Sequence, residues 1–276
     1  RMEGERLILC YNGKSFPSVS VTGGRCVQMC DHCRGLHIRG MVAAETPEAL
    51  LAEARRIRTS GGRGLLISGG ADATGRVPVA DYADTMKTMI SEGLEVNVHA
   101  GFIGKEEAER LVQAGVRRFS VDVHQDREII RDFMHLDREP EDYGELIDVI
   151  REAGGIPVPH ITLGFGEKDL FLSLRLLESK GIKEVVVLAL VPTPGTVTEH
   201  SIMNENALAG AVMMMSAMGF SVTLGCMRDR TLRGLEMKCI QAGARRIANP
   251  SADTVRWAKE NGFAVETDDR CCCMGI

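Results

Sequence analysis

Cys26, Cys30 and Cys33 lie in one short stretch, Cys26-Val-Gln-Met-Cys30-Asp-His-Cys33, directly after the strand-like Ser18-Val-Ser-Val-Thr22. Three thiolates on one loop can hold three irons of a [4Fe–4S] cube, because cysteine is the usual ligand of such clusters. The fourth iron then has no protein ligand and can take a substrate. An incomplete ligand set is a catalytic signature, whereas a cluster that only carries electrons normally has four. The competing arrangement is a zinc site made from the same three cysteines and His32. Structural zinc sites are usually built from two separated ligand pairs, and these residues crowd into one loop.

The other six of the nine cysteines form a second question. Cys226 follows a strand-like run in Leu224-Gly225-Cys226-Met-Arg228, and Cys271, Cys272 and Cys273 are consecutive near the C-terminus. Cys10 is expected just upstream of the first strand, and Cys239 sits in a helical pattern from Leu235 to Ala242. Free cysteines are often small buried apolar residues, which suits Cys239. Three adjacent side chains are not expected to be buried together against one surface, and exposed thiols would be oxidation liabilities. A second metal cluster is therefore expected, ligated by some of Cys226, Cys271, Cys272 and Cys273, with Cys10 in reserve.

Positioning these residues requires a repeated frame. Eight β-branched or apolar runs punctuate the chain: Ser18–Thr22, Gly64–Ser68, Glu95–His99, Arg118–Val123, Val158–Leu163, Glu184–Val191, Ser221–Leu224 and Arg245–Ala248. Helical patterns lie between them. Thr46-Pro47-Glu48 reads as an N-cap, a first-position proline and an acidic first turn. Lys105 to Glu109 and Glu141 to Glu145 also put carboxylates near helix starts, and Asp253–Asn261 should be the last helix. Strand–helix repeated eight times implies an α/β fold, a (β/α)8 TIM-type barrel over 1–261 with a cysteine-bearing tail over 262–276. In that fold the active site lies at the C-terminal ends of the strands. Asn97 and His99, then Ser120, Asp122 and His124, alternate toward one side of their strands and are expected to line that rim.

At 276 residues one large domain suffices, and a formal charge of −5 gives no basic footprint, so nucleic acid is not an expected partner. No apolar run is long enough to span a bilayer, and no signal-peptide pattern opens the chain, so membrane association is not expected. The richest stretch, Ala207 to Phe220, reads as a barrel helix. Cysteine usage without a secretory pattern suggests metal in a reducing cytoplasm.

The cysteine spacing resembles that of the radical S-adenosylmethionine (radical SAM) superfamily. The resemblance implies that the open iron chelates the methionine part of SAM and that an electron releases a 5′-deoxyadenosyl radical. His32 stands where the superfamily usually has an aromatic residue. Ser68-Gly69-Gly70 resembles the glycine pair whose backbone edge binds the methionine amino group, although Ala71 replaces the usual acidic residue; a plain tight turn is the alternative. Asp122 is the expected ribose ligand, since a carboxylate accepts from both hydroxyls, with Asn97 beside it. Gly164-Phe-Gly166-Glu167 and Pro192-Thr-Pro194-Gly195 resemble adenine-side elements, which assigns Gly164, Glu167 and Pro194 to SAM.

Across nearly the whole chain the motifs resemble biotin-synthase-like members, most of all the archaeal-type two-protein lipoyl synthases. These motifs are Val21-Thr-Gly-Gly-Arg-Cys26, Ile67-Ser-Gly-Gly70, Pro159-His-Ile-Thr162, Pro192-Thr-Pro-Gly195, and Gly225-Cys-Met-Arg228 with Arg233 and Glu236. The resemblance implies sulfur insertion into an octanoyl group on a lysine, with the second Fe–S cluster as sulfur donor. Implied partners are a lipoyl carrier protein or octanoyl-lysine peptide, a second radical SAM component, and an electron donor such as ferredoxin. The cysteine motif of bacterial-type lipoyl synthase, CxxxxCxxxxxC, is absent, as is its Arg-Ser-Ser-Tyr element. Val121-Asp122-Val123-His124 replaces the Asn-His-Asn signature of true biotin synthase. The alternative is a carbon-skeleton or maturation enzyme resembling methylornithine synthase or the hydrogenase maturase, without sulfur insertion. A lesser one is a non-catalytic metal-binding scaffold.

Overall fold

Parallel strand–helix repeats build the protein, and a computed structural model describes residues 4–275. The ends of the expected barrel and tail, residues 1–3 and Ile276, lie outside the described residues. The strands are β1 (Arg6–Cys10), β2 (Ser18–Ser20), β3 (Val42–Ala43), β4 (Gly64–Ser68), β5 (Glu95–Val98) and β6 (Arg118–Asp122). They continue with β7 (Ile156–Leu163), β8 (Glu184–Ala189), β9 (Ser221–Leu224), β10 (Arg246–Ala248) and β11 (Ala264–Asp268). The helices are α1 (Pro47–Thr59), α2 (Ala83–Ser91), α3 (Lys105–Gln113) and α4 (Pro140–Glu152). After them come α5 (Glu167–Ser179), α6 (Glu205–Ala217), α7 (Leu235–Gln241) and α8 (Ala252–Glu260). The fold class is α/β, a partial (β/α) barrel that carries the C-terminal cysteine triad.

Two compact units divide the chain. One is Lys14–Pro159, whose sheet runs β3-β2-β4-β5-β6 with every recorded pair parallel. The other joins Arg1–Gly13 to His160–Ile276, and its sheet runs from the second half of β7 through β8, β9, β10 and β1 to β11. Parallel strands covered on both faces need apolar residues on both, and Val185, Val186 and Val187 of β8 are all buried. The helices begin where local chemistry directs. The Thr46 hydroxyl accepts from the Ala49 amide at 3.2 Å, and Leu50, Ala54 and Ile57 bury the inward stripe of α1. The methionine-rich stretch forms α6, burying Leu208, Val212 and Met215 while Met213 faces solvent.

All eight expected strands are present; of three further ones, β3 pairs with β2, and β1 and β11 change the reading of the ends. Cys10 is not upstream of the sheet but the last residue of β1, between β10 and β11. The tail does not leave as loop at Gly262: β11 pairs in parallel with β1, from Arg6↔Ala264 to Cys10↔Asp268. These strands escaped the pattern because their partners lie at opposite ends of the chain. Register then delivers the cysteine triad beside Cys10.

Candidate functional site

In the unit Lys14–Pro159, the cysteine loop leaves β2 and crosses the end of β4. The Val27 amide donates to the Ala71 carbonyl at 2.8 Å, and the Cys26 thiol points to the same oxygen at 3.8 Å. Gly70 permits this crossing: a Cβ there would stand 1.9 Å from the Arg25 carbonyl oxygen and 2.6 Å from the Cys26 Cα. Its amide donates to the Thr22 hydroxyl at 2.6 Å. The glycine pair therefore has a packing reason of its own, close approach of the cluster loop.

Cys30 is buried, and the amides of Cys33 and Arg34 donate to its carbonyl at 3.1 and 2.8 Å, which winds the loop into a tight turn. The hydrogen bond between the Cys30 and Cys33 thiols holds Cys33 down at about 4, helped by His32 and opposed by burial. The same hydrogen bond, then burial, raises Cys30. The pair thus shares its proton unevenly, with Cys33 shifted toward the thiolate, the form that ligates iron. His32 stacks flat on Phe133, with centroids 5.8 Å apart and planes 4° apart. The donor atoms of His32, Cys33 and His37 gather within 4.8 Å of one another, a set that brings in His37.

A segment that the sequence did not single out holds this loop. After β6 the chain makes one π-helical turn, Ile129–Phe133. The Asp31 amide donates to the Phe133 carbonyl at 3.0 Å, and the Gln28 side-chain amide to the Met134 carbonyl at 3.1 Å. The Cys30 thiol points to that carbonyl at 3.6 Å, and His135 lies 3.0 Å from Asp31. π turns are rare and frequently mark functional sites. The only available sequence signal was the long connection from Val123 to Glu139.

The expected rim residues separate. Asn97 is fully buried, and its amide donates to the buried Ser120 hydroxyl at 3.0 Å, pinning β5 to β6. This corrects its placement among rim groups: alternation sets which side a residue faces, not its height along the strand. His99 and Asp122 do reach the strand ends, with Nε2 and Oδ2 3.0 Å apart, and the Asp122 side chain remains 47% exposed. Burial lowers the His99 pKa, but the Asp122 charge and hydrogen bond outweigh it and the net shift is upward. A histidine raised on folding adds stability that is complete below its unfolded value of about 6.5 and fades as pH rises through the folded value. Asp122→Asn removes the charge, the larger raising contribution, and leaves burial against at most a neutral hydrogen bond. His99 is then expected to titrate below its ordinary value by ring NMR, and its stabilising effect on the acid side to disappear. An unchanged upward shift would rule out Asp122 as its cause.

In the other unit, Cys271, Cys272 and Cys273 are all buried, at 9%, 4% and 2% exposure. Their sulfurs lie within 4.8 Å of one another. The expectation that adjacent cysteines would not be buried together is corrected. A turn closed by the Met274 amide on the Cys271 carbonyl (2.9 Å) folds all three inward. His160 of β7, also buried, places Nε2 3.5 Å from the Cys273 sulfur. Hydrogen bonds from Cys272 and Cys273 hold the Cys271 thiol well below its ordinary range. Arg246 binds the tail to its frame, donating to the Gly275 carbonyl at 3.1 Å, the Asp268 carboxylate at 3.3 Å and the Cys10 sulfur at 3.3 Å. Burial nevertheless pushes the Cys10 thiol up to about 11, against the Arg246 charge.

Cys226 is exposed, on a loop held by a buried ion pair. Arg228, 3% exposed, binds Glu236 and donates to the carbonyls of Gly225 and Ala248. Arg230 donates to the Cys226 carbonyl at 3.0 Å. Cys239 is buried in α7, as expected of a small apolar residue. Gly164, Glu167 and Pro194 are exposed; Glu167 opens α5, and Pro194 lies in a turn closed by the Thr196 amide on the Thr193 carbonyl at 3.2 Å.

Residues 20–170, over half of the chain, match the Radical SAM superfamily. The chain belongs to that superfamily. It is distantly similar to biotin synthases, 26% identical over 266 residues to that of Halorhodospira halophila, covering 85% of this chain and 78% of that one. To that of Allorhizobium ampelinum it is 25% identical over 261 residues, covering 83% and 74%. Among solved structures, methylornithine synthase shares the fold with a TM-score of 0.65 at 13% identity, over 95% of this chain and 84% of that one. The FeFe-hydrogenase maturase HydG from Carboxydothermus hydrogenoformans does so with 0.68 at 15%, over 96% and 68%. The chain is a radical SAM enzyme, and its superfamily implies a [4Fe–4S] cluster and SAM. Three cysteines on one loop, braced by the Gly70 crossing and the π turn, suit that cluster. Among the described residues no helix is long and apolar enough to cross a membrane.

Proposed function

We propose that this radical SAM enzyme inserts sulfur into an unactivated C–H bond of a protein-bound octanoyl group, as one component of a lipoyl synthase. One observation carries the reading: a chain whose cysteine loop suits the SAM cluster also buries a second convergent thiol triad, Cys271 to Cys273. The distant similarity to biotin synthases supports it. When bound, the first cluster and SAM supply a radical that takes a hydrogen from an aliphatic carbon, and a second cluster supplies sulfide. Cys26, Cys30 and Cys33 hold the first cluster, and the π turn and the Gly70 crossing keep their loop in one geometry. The Gly69–Gly70 edge takes the methionine amino group, and Asp122, exposed beside His99, accepts the ribose hydroxyls. Cys271, Cys272 and Cys273 hold the second cluster. The octanoyl group arrives on a lysine of a carrier protein, with a second radical SAM component as co-worker and a ferredoxin-type electron donor.

Two measurements test this. A Cys26→Ala/Cys30→Ala/Cys33→Ala chain should retain iron and sulfide, about two of each for a [2Fe–2S] centre and about four of each for a [4Fe–4S] centre. Reduced wild-type protein with SAM should add sulfur to an octanoyl-lysine peptide, alone or with its co-worker, as seen by mass spectrometry. Formation of 5′-deoxyadenosine with no metal left in the triple variant would instead favour a radical SAM enzyme without sulfur insertion. No 5′-deoxyadenosine at all would favour a scaffold.

A further inference from the structure

Three consecutive cysteines can occupy only one side of a metal centre, which leaves its far side open to a fourth ligand from another part of the chain. Cys10 and Cys226 both lie close enough to Cys271 to feel its charge, but each differs from the triad. Cys10 is engaged by Arg246 and Cys226 is exposed, whereas the triad is buried. His160 is different. It is buried, it sits in the paired part of β7 opposite Val186 of β8, and its Nε2 stands 3.5 Å from the Cys273 sulfur.

That distance has a physical meaning. With metal–sulfur and metal–imidazole bonds of about 2.3 and 2.05 Å, two ligands on one tetrahedral metal atom stand about 3.6 Å apart, so the spacing suits one iron of a [2Fe–2S] centre or a single metal ion, whereas each iron of a cube takes one protein ligand. We infer that His160 is the fourth protein ligand of the metal centre built on Cys271, Cys272 and Cys273. This inference rests on the reading of the triad as a metal site. Ligation through Nε2 requires the neutral ring with its proton on Nδ1. Histidine ligation of iron–sulfur centres has precedent, and a neutral imidazole in place of a thiolate raises the reduction potential. The division of labour also follows from the fold. Three ligands ride on the tail, and the fourth stands on a sheet strand that fixes where the tail must close.

The test uses the full chain with Cys26, Cys30 and Cys33 replaced by alanine, so that only the tail site remains, loaded anaerobically with iron and sulfide. Iron, zinc and sulfide are counted, and the reduced centre is measured by pulsed EPR with natural-abundance and 15N-labelled histidine. A nitrogen coupling that changes with the label, and that is lost in His160→Ala, is expected. His160→Ala should also release iron to a chelator roughly tenfold faster or more. If the centre forms without nitrogen coupling and His160→Ala holds iron as well as its parent, His160 is not a ligand and the metal reading of the triad survives. If the parent retains neither metal nor sulfide, both fall. The labelling arm needs no variant at position 160, so a folding failure of His160→Ala does not blunt the result.

Discussion

Cys30→Ala is expected to reduce 5′-deoxyadenosine formation to background, a loss on the order of a millionfold or more, the lower range of enzymatic rate enhancement. The alanine removes one of three ligands, and the cluster then has only Cys26 and Cys33. Fold stability should barely change, because the thiol's contact beyond its own loop is a weak approach to the Met134 carbonyl at 3.6 Å. Product and iron are measured together, with the melting temperature as control; Cys30→Ser provides a variant of nearly equal size. Product formation near the wild-type rate in either variant would mean that the cluster is not held by this loop.

The second large effect concerns stability. Glu236→Ala should destabilise the protein by about 3–5 kcal/mol, because it leaves the Arg228 guanidinium buried without its counter-charge. The loss extends further, since the Glu236 carboxylate also accepts from the Ser251 amide at 2.8 Å and the Thr254 hydroxyl at 2.7 Å, at the start of α8. Chemical denaturation measures it, and a change below about 1 kcal/mol would fall within ordinary exposed-pair values and refute the argument. Replacing both partners with apolar residues, Arg228→Met with Glu236→Leu, should recover much of the loss. Burial raises the Glu236 pKa, but the Ser251 amide and Arg228 outweigh it and the net shift is downward. A carboxylate lowered on folding contributes stability that is present above its unfolded value of about 4.3 and is lost as pH falls through the folded one. Wild-type protein should therefore lose this contribution only in strong acid, and Glu236→Ala should lose it at every pH.

The pair also explains why Gly225-Cys-Met-Arg228 and Glu236 carry so much of the sequence resemblance. Arg228 and Arg230 anchor the carbonyls of Gly225 and Cys226, and Glu236 joins them to the cap of α8. These residues shape the loop that carries Cys226. A motif can mark a family through the frame of its site as well as through the chemistry.

Much of this protein was legible in its residues because the relevant interactions are short in sequence. The ligands Cys26, Cys30 and Cys33 share one loop, the helix starts at Thr46 and beside Glu141 are local chemistry, and the eight strand runs announce themselves by composition. What spacing could not carry was contact between distant segments. Gln28 meets Met134 across 106 positions, and Cys273 meets His160 across 113. Nor could it give depth: Asn97 and His99 share a strand face, yet one is sealed against Ser120 and the other stands at the edge with Asp122. The sequence alone determined a radical SAM chain with a three-cysteine cluster loop and α/β repeats, because period and spacing express local geometry. Only the tertiary structure decided that three neighbouring cysteines turn inward together and that a histidine waits beside them. Those are consequences of strand register and close packing, which no single segment contains.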